Sequence, residues 1–579
     1  MIEADRIQEL VTELYGGQHG IEVTRRIQTL IYAYRQRLPQ QPSRDLSERD
    51  AVLITYPDQV TDPGESPLSV LGEFAERHLR GLMSTVHLLP FYPWSSDDGF
   101  SVTDFRSVAV QYGTWQDVRG LGGFFDLLLD AEINHASSQS EWFHLFLRDR
   151  APYRDYFIRV DDRSDLSMVV RPRTTPLLNR FRSYGRDTSV WTTFGSDQVD
   201  LNYCSPDLLL EMLDVLGFYV SQGAAFIRLD AAPYLWKEIG TTCINLPQTH
   251  ALIRLMRAVL DQIAPYVKLI VEANVPQSDN RAYLGDGMDE AQLIYNFPLP
   301  PLVLHAFQSR RADTLGRWIS ELELPSGRAT FLNVLSTHDG IGLNPLQGIL
   351  GEDEILEMAH LTVTRGGLVS SKMNPDGGSS PYELNMNYFD ALDALGPAVE
   401  PGLELERFVT AHAIMLSLQG VPALYFHSLF GSRGWPRGVL RTGRNRTINR
   451  EKLHRDDLEA ELADPHSTRA RVFRRLSNLL AARAGSRAFS PDAAQRVLSS
   501  NGEILALSRR ARGARAHVLC IYNVSPESCQ FRVEDRDVLS ALSGSPRDLI
   551  TGSIVTGGIH RSIGLKPYQS LWLACEDAE

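Results

Sequence analysis

Short apolar strands alternate with helical stretches along most of this chain, and three of the strands run out into a carboxylate. The strand segments are VLITYP, TVHLLPF, FFDLLLDAEI, AAFIRLD, KLIVEA, ATFLNVLS and ALYFH. Runs this uniformly apolar suit strands covered on both faces, as in a parallel sheet flanked by helices. Asp230 ends AAFIRLD, Glu272 ends KLIVE, and Asp339 follows ATFLNVLS in TFLNVLSTHDG. A fourth segment, FFDLLLDAEINHAS, runs into Asn134 and His135. A carboxylate at the mouth of an apolar strand is costly unless something uses it. Any single one is more often a helix cap or half of a buried ion pair. Three in equivalent places point to one built pocket.

Repeated strand–helix units with polar residues at strand ends predict a (β/α)8 barrel, whose sites lie at the C-terminal ends of the strands. A doubly wound open sheet is the alternative, but it calls for a glycine-rich first turn that the sequence lacks. Two stretches break the alternation. We therefore expect N-terminal helices over 1–48, a first barrel part over 49–137, an inserted domain over 138–203 and a middle barrel part over 204–339. A second irregular insertion follows over 340–402, then the last barrel part over 403–496. From 497 to 579 the texture changes to alternating strands (EILALSRR, AHVLCIYNV, QSLWLAC), which predicts a small antiparallel β domain.

The 579 residues carry a net charge of −13, which argues against a nucleic-acid partner, since that would need a basic face. Five cysteines without a CxxC pair argue against a zinc site and a disulfide framework. The N-terminus MIEADRIQEL has no apolar signal core, and no apolar run reaches the ~18 residues of a membrane span. A cytoplasmic protein without a membrane partner is the expectation.

Residues i and i+2 of a strand share a face, so Arg228 points the same way as Asp230. A guanidinium there keeps the carboxylate ionised, as the nucleophile of a retaining glycosidase must be. Glu272 follows the apolar LIV run, and desolvation suits it to act as a general acid. Asp339, preceded by His338, is a third carboxylate able to steady a positive, oxocarbenium-like centre.

The segments DAEINH, FIRLDAA, VEAN and LSTHDG resemble the conserved regions of the α-amylase superfamily. HLLPFYPWSSDDGFSVTDF, WKEIGTTC, NFPLPPLVLHAF, STHDGIGLNPL and GRNRTINR are similar to its sucrose phosphorylase branch, above all to the glucosylglycerate and glucosylglycerol phosphorylases. The resemblance runs from about residue 50 onward. It implies Asp230 as nucleophile, Glu272 as general acid/base and Asp339 as transition-state stabiliser. It further implies that Asp97, His135, Gln198, His338 and Arg446 hold glucose hydroxyls, that Phe100 packs on the sugar ring, and that Arg173 and Tyr382 receive phosphate. Inorganic phosphate is then a co-substrate, and neither a cofactor nor a metal is expected. Homodimers are common in the branch, so a dimer is an open expectation.

The acceptor stays open between glycerol, glycerate, fructose and fructose 6-phosphate. Ala231-Ala232-Pro233-Tyr234 beside the nucleophile, and Ile239 and Thr242 in WKEIGTTC, depart from sucrose-type relatives and are expected near the departing group. Glu383 stands where sucrose-specific members tend to have glutamine. It suits polyol hydroxyls and would repel glycerate unless an arginine such as Arg433 or Arg437 compensates. Hydrolysis or transglucosylation on the same scaffold, and a non-catalytic amylase-like binding protein, are the rival readings.

Overall fold

The computed structural model describes residues 3–39, 41–183, 185–325, 328–374, 377–393, 402–513, 516–555 and 562–575. Eight short strands close into a parallel barrel: β1 (Val52–Thr55), β2 (Thr85–Leu88), β3 (Asp126–Ala131), β4 (Ala224–Leu229), β5 (Lys268–Val271), β6 (Leu293–Tyr295), β7 (Thr330–Asn333) and β8 (Val421–Tyr425). They follow one another round the ring in chain order, and β8 pairs with β1 to close it. Seven of the eight match the apolar runs of the sequence. The eighth, β6, is three residues long and too brief to show a period.

The helices between strands carry local start signals. Ser205 accepts a hydrogen bond from the Leu208 backbone and Pro206 takes the first helical position of Pro206–Ser221, the arrangement that satisfies or removes free N–H groups. Gly223, at φ +104°, then turns the chain into β4. The stretch PPLVLHAFQSRRADTLGRWISEL, which reads as one helix, is two: Leu299–Ser309 and Asp313–Ser320. Arg310 stands between them at φ +58°, a left-handed conformation that ends a helix.

Alternate residues of the strands point into the barrel. Val52, Ile54, Leu128, Phe226, Ile270, Leu293, Tyr295, Leu332, Val421 and Ala423 pack there as an apolar core of their own. Two residues further along β3 and β4 the same inward face turns polar, with Asp130 and Arg228 both buried. The barrel interior is thus sealed by side chains below and chemically armed above.

Both stretches that break the alternation contain regular elements. The first contains an antiparallel hairpin, Leu178–Ser183 with Arg186–Trp191. The second contains the helix Glu352–Thr364 and a three-stranded sheet built from Ile341–Gly342, Leu368–Met373 and Ser379–Asn385. Pro375 and Asp376 lie outside the described residues. The C-terminal region holds a five-stranded antiparallel sheet, and its first strand, Ala494–Ser499, begins before residue 497. The N-terminal helices Glu3–Tyr15 and Gly17–Arg35 pack Ile7, Val11, Val23, Ile27 and Ile31 against the barrel's outer helices. Among the described residues no helix is long and apolar enough to cross a membrane.

One buried arginine ties the last barrel helix to the strand entrances. Arg483, at 1% exposure, donates to the carbonyls of Leu416 (3.2 Å), Asp50 (3.1 Å), Gly420 (3.1 Å), Phe489 (3.2 Å) and Glu48. Arg483→Met keeps the volume and removes every donor. Because each buried carbonyl left unpaired costs about 1–3 kcal/mol, the variant should lose about 3 kcal/mol or more, read as a lower midpoint in urea with an unchanged slope. An unaltered midpoint would show that these bonds add nothing net.

Candidate active site

Strand register decides which side chains meet. Ala131 of β3, Leu229 of β4 and Val271 of β5 lie level in the sheet. The next residue of each strand is therefore level too: Glu132, Asp230 and Glu272 stand side by side at the rim. One layer below, Asp130 is level with Arg228. The Arg228 guanidinium donates to Asp130 Oδ1 at 2.5 Å and reaches Asp230 Oδ1 at 2.9 Å. Asp130 also accepts from His87 Nε2 at 2.9 Å, with all three buried. Burial alone would raise the Asp130 pKa, but Arg228 and His87 outweigh it and hold it at about 2. Asp130 thus stays charged and anchors the arginine that grips Asp230.

Glu272 behaves differently. Burial, with the negative charges of Asp230 and Asp339, raises its pKa to about 7, against the lowering pull of Arg228 and of a backbone hydrogen bond. That bond comes from the Ala231 N–H to Glu272 Oε2 at 3.1 Å. Ala231 sits at φ +50°, a strained value for a residue with a Cβ. The turn after Asp230 thereby points its amide at the neighbouring acid. Asp339 lies deep in the ordinary ionised range: burial opposes this, but the guanidinium groups of Arg446 and Arg450 prevail. Arg446 contacts its Oδ1 directly and Arg450 stands 3.5 Å away. His338 stacks on Phe100 with ring centres 4.8 Å apart, and burial pushes its pKa down to about 3, so it is a neutral imidazole at neutral pH.

These groups line a cavity of about 640 Å³. Asp97, Phe100, His135, Arg173, Gln198, Asp230, Glu272, His338, Asp339, Tyr382, Glu383 and Arg446 all face it, while Arg228 lies behind Asp230. His135 Nε2 lies 3.0 Å from the Phe100 carbonyl and 3.2 Å from Gln198 Nε2, which also donates to Asp97 at 3.3 Å. Asp97 and Asp98 have φ of +56° and +52°. The loop after β2 is held in this strained form partly by Arg450, which bonds Asp98 Oδ2 at 2.6 Å. On the opposite wall Arg173 lies with its guanidinium 5.2 Å from the Tyr382 ring centre and 5.7 Å from that of Phe194. Asn274 donates to the Tyr382 hydroxyl at 3.1 Å. Among the described residues Arg173 has no carboxylate partner.

The α-amylase catalytic-domain profile matches residues 79–325. A glucosylglycerate phosphorylase of Spirochaeta thermophila is 46% identical over 92% of this chain and 91% of its own length. One of Escherichia coli is 42% identical over 98% of this chain and 99% of its own. The chain belongs to the glucosylglycerate phosphorylase family of the α-amylase superfamily. In fold it is also similar to a sucrose 6F-phosphate phosphorylase from Thermoanaerobacter thermosaccharolyticum, with a TM-score of 0.72 at 24% identity over 84% of this chain and 95% of that one.

Within this phosphorylase-family site the structure corrects two expectations. Ile239 and Thr242 are exposed and lie outside the cavity lining, so they do not border a departing group. Glu383 is 2% exposed and accepts from Arg446 Nε at 3.0 Å and from its terminal nitrogen at 2.6 Å. Its carboxylate lines the cavity as the ion-pair partner of Arg446, which it shares with Asp339. The compensating arginine is Arg446, not Arg433 or Arg437: Arg433 is spent on Asp390 (2.8 Å) and Asp393 (2.7 Å), and neither lines the cavity. The sequence reading also passed over Asp130, Glu132 and Arg450. The signal for the first two was present in DAEINH, where two acids sit in an apolar strand. Arg450 carries no such local mark, because its partners Asp97, Asp98 and Asp339 are far away in the chain.

Glu272 should titrate near pH 7 in a site-resolved carboxyl measurement, by carbon-13 NMR or infrared difference spectroscopy. Asp230→Asn removes a neighbouring negative charge and should lower that midpoint. Arg228→Met removes a positive one and should raise it. A Glu272 midpoint near the ordinary 4.5 would refute the burial argument.

Proposed function

We propose that this chain is a retaining glucosylglycerate phosphorylase that converts the glucoside and inorganic phosphate into α-glucose 1-phosphate and glycerate. The Asp230 carboxylate, aimed by Arg228, attacks the anomeric carbon. The bond to glycerate breaks and Glu272 gives its proton to the departing oxygen. Asp339, held charged by Arg446 and Arg450, steadies the positive charge that builds on the sugar ring. The product of this step is a β-glucosyl ester on Asp230. A phosphate oxygen then attacks the same carbon, Glu272 takes the phosphate proton, and the Asp230 carboxylate leaves. Two inversions return the α configuration. Asp97, His135, Gln198, His338 and Arg446 supply donors and acceptors for the glucose hydroxyls, and Phe100 an apolar face. The scheme requires no cofactor.

The observation that carries phosphorolysis over hydrolysis is Arg173. Among the described residues it has no acid partner and faces the cavity beside Tyr382, whereas Arg446 and Arg450 are engaged with carboxylates. A planar guanidinium suits a phosphate dianion. Glycerate is also an anion, and the two occupy that side of the cavity in turn. The pairing of Glu383 with Arg446, which also holds Asp339, weakens the repulsion that Glu383 would exert on either one. This favours glycerate over neutral glycerol and over fructose, and phosphate over water.

A panel of glucosylglycerate, glucosylglycerol, sucrose and sucrose 6′-phosphate, each with phosphate, should release glucose 1-phosphate fastest from glucosylglycerate. Glucose released at the same rate without phosphate would defeat the phosphorylase reading. Arg173→Ala should raise KM for phosphate by about 10- to 100-fold, the equivalent of one or two charge-assisted hydrogen bonds, and leave slow hydrolysis in place. Asp230→Asn should lower kcat by about 10⁴-fold or more, the scale of losing a covalent nucleophile. In the wild type, kcat/KM for the glucoside should fall as pH rises through about 7, because the protonated form of Glu272 is the acid. A profile flat to pH 9 would remove Glu272 from that role.

A further inference from the structure

Asp230 has two carboxyl neighbours at its own level, and the scheme above uses one. Glu272 stands on the β5 side. Glu132 stands on the β3 side, fully buried. Among the described residues no protein donor reaches either of its oxygens. Its Oε2 lies 4.0 Å from His135 Nε2, and Glu132, His135 and Asp230 each offer an atom within 4.8 Å of the others'. The His135 nitrogen is already engaged with the Phe100 carbonyl and Gln198. The carboxyl group beside it is that of Asp230, with an oxygen within 4.8 Å of one of its own. Two carboxyl groups bond to each other only by sharing a proton.

The charge around it decides who holds that proton. Glu132 faces Asp230 and Arg228 from β4, Asp130 and His135 from its own strand and the loop beyond, and the hydroxyls of Tyr92 and Tyr219 from the β2 loop and the helix Pro206–Ser221. The one guanidinium, Arg228, is already shared by Asp130 and Asp230. No cation is left for a third carboxylate. Burial first, then Asp230 and Asp130, raise the Glu132 pKa well above the ordinary value.

We propose that Glu132 is a positioning residue for this reaction, a neutral carboxylic acid that donates a hydrogen bond to Asp230. The inference rests on Asp230 being the nucleophile. Glu132 keeps its proton throughout. Its bond grows stronger as charge returns to Asp230 during breakdown of the glucosyl ester, so it assists the departure of the carboxylate when phosphate attacks. In the first step the same bond slightly tempers Asp230 as a nucleophile. Its largest effect therefore falls on the second half of the cycle.

Glu132→Gln keeps a neutral donor of the same shape, and Glu132→Leu removes it. The Gln variant should retain kcat/KM for phosphate within about threefold, well under one hydrogen bond's worth, and the Leu variant should lose about 10- to 100-fold. In the Leu variant glycerate should appear in a burst ahead of turnover, KM for the glucoside should fall with kcat, and a glucosyl-enzyme should be visible by intact mass after acid quench. Gln and Leu variants that match each other, whether both active or both inactive, would overturn the proposal. So would a wild type that a chelator inactivates and a divalent cation restores, since the cluster would then be holding a metal.

Thermal melts against pH test the protonation without any activity. A folded pKa above the ordinary Glu value stabilises fully below the unfolded pKa, and that stabilisation is lost as pH rises towards the folded pKa. The Tm of Glu132→Gln should therefore gain on the wild type as pH rises above about 4.5. Glu272, present in both proteins, cancels in the difference. Parallel Tm curves from pH 4 to 9 would mean that Glu132 carries no bound proton and would overturn the proposal even if the substrate assignment fails.

Discussion

A single buried guanidinium organises the chemistry of this barrel. Arg228 comes from the middle of a strand, is shut away from water, and is shared by Asp130 below and Asp230 at the rim. Desolvating such a charge costs several kcal/mol unless carboxylates answer it at short range. Here they do, and the pairing fixes Asp230 in one place. The other acids take their character from what Arg228 does not neutralise. Glu272 is close enough to two carboxylates to hold its proton near neutrality, and Glu132 has no cation left to it.

The second organising feature is a set of long arginines reaching in from the last loop. Arg446 joins Asp339 to Glu383, and Arg450 joins Asp339 to Asp97 and Asp98. These contacts bring the loops after β2, β7 and β8, and the three-stranded sheet of the second insertion, round one cavity. The barrel thus supplies Asp230 and Glu272 at its strand ends, and the inserted segments supply Arg173, Tyr382 and Glu383 to the opposite wall of the cavity. Arg173 and Tyr382 come from different insertions and meet only through a cation–π contact across that wall.

Burial and charge pull in opposite directions throughout, and local geometry decides the outcome. Asp339 is as buried as Glu272, yet one stays ionised and the other holds a proton. Two arginines at hydrogen-bonding or near-bonding range explain the first. An amide from a strained alanine and a single shared arginine are too little to do the same for the second. Neither result follows from depth alone.

The sequence by itself determined the barrel and its three strand-end acids, because apolar periodicity and the cost of burying a carboxylate are local properties that a linear reading can detect. It did not show β6, whose three residues carry no period, nor the hairpins inside the insertions, whose strands are half exposed and mixed in character. It named Arg433 or Arg437 as the cation to answer Glu383, and placed Ile239 and Thr242 near the departing group. Tertiary structure decided otherwise, since Glu383 meets Arg446 from 63 residues away and the other two turn outward. Strand register, which no single segment encodes, set Glu132, Asp230 and Glu272 at one level. That is why Asp230 and Glu272 were legible in the sequence, while Glu132, their neighbour at the same level, had to wait for the fold.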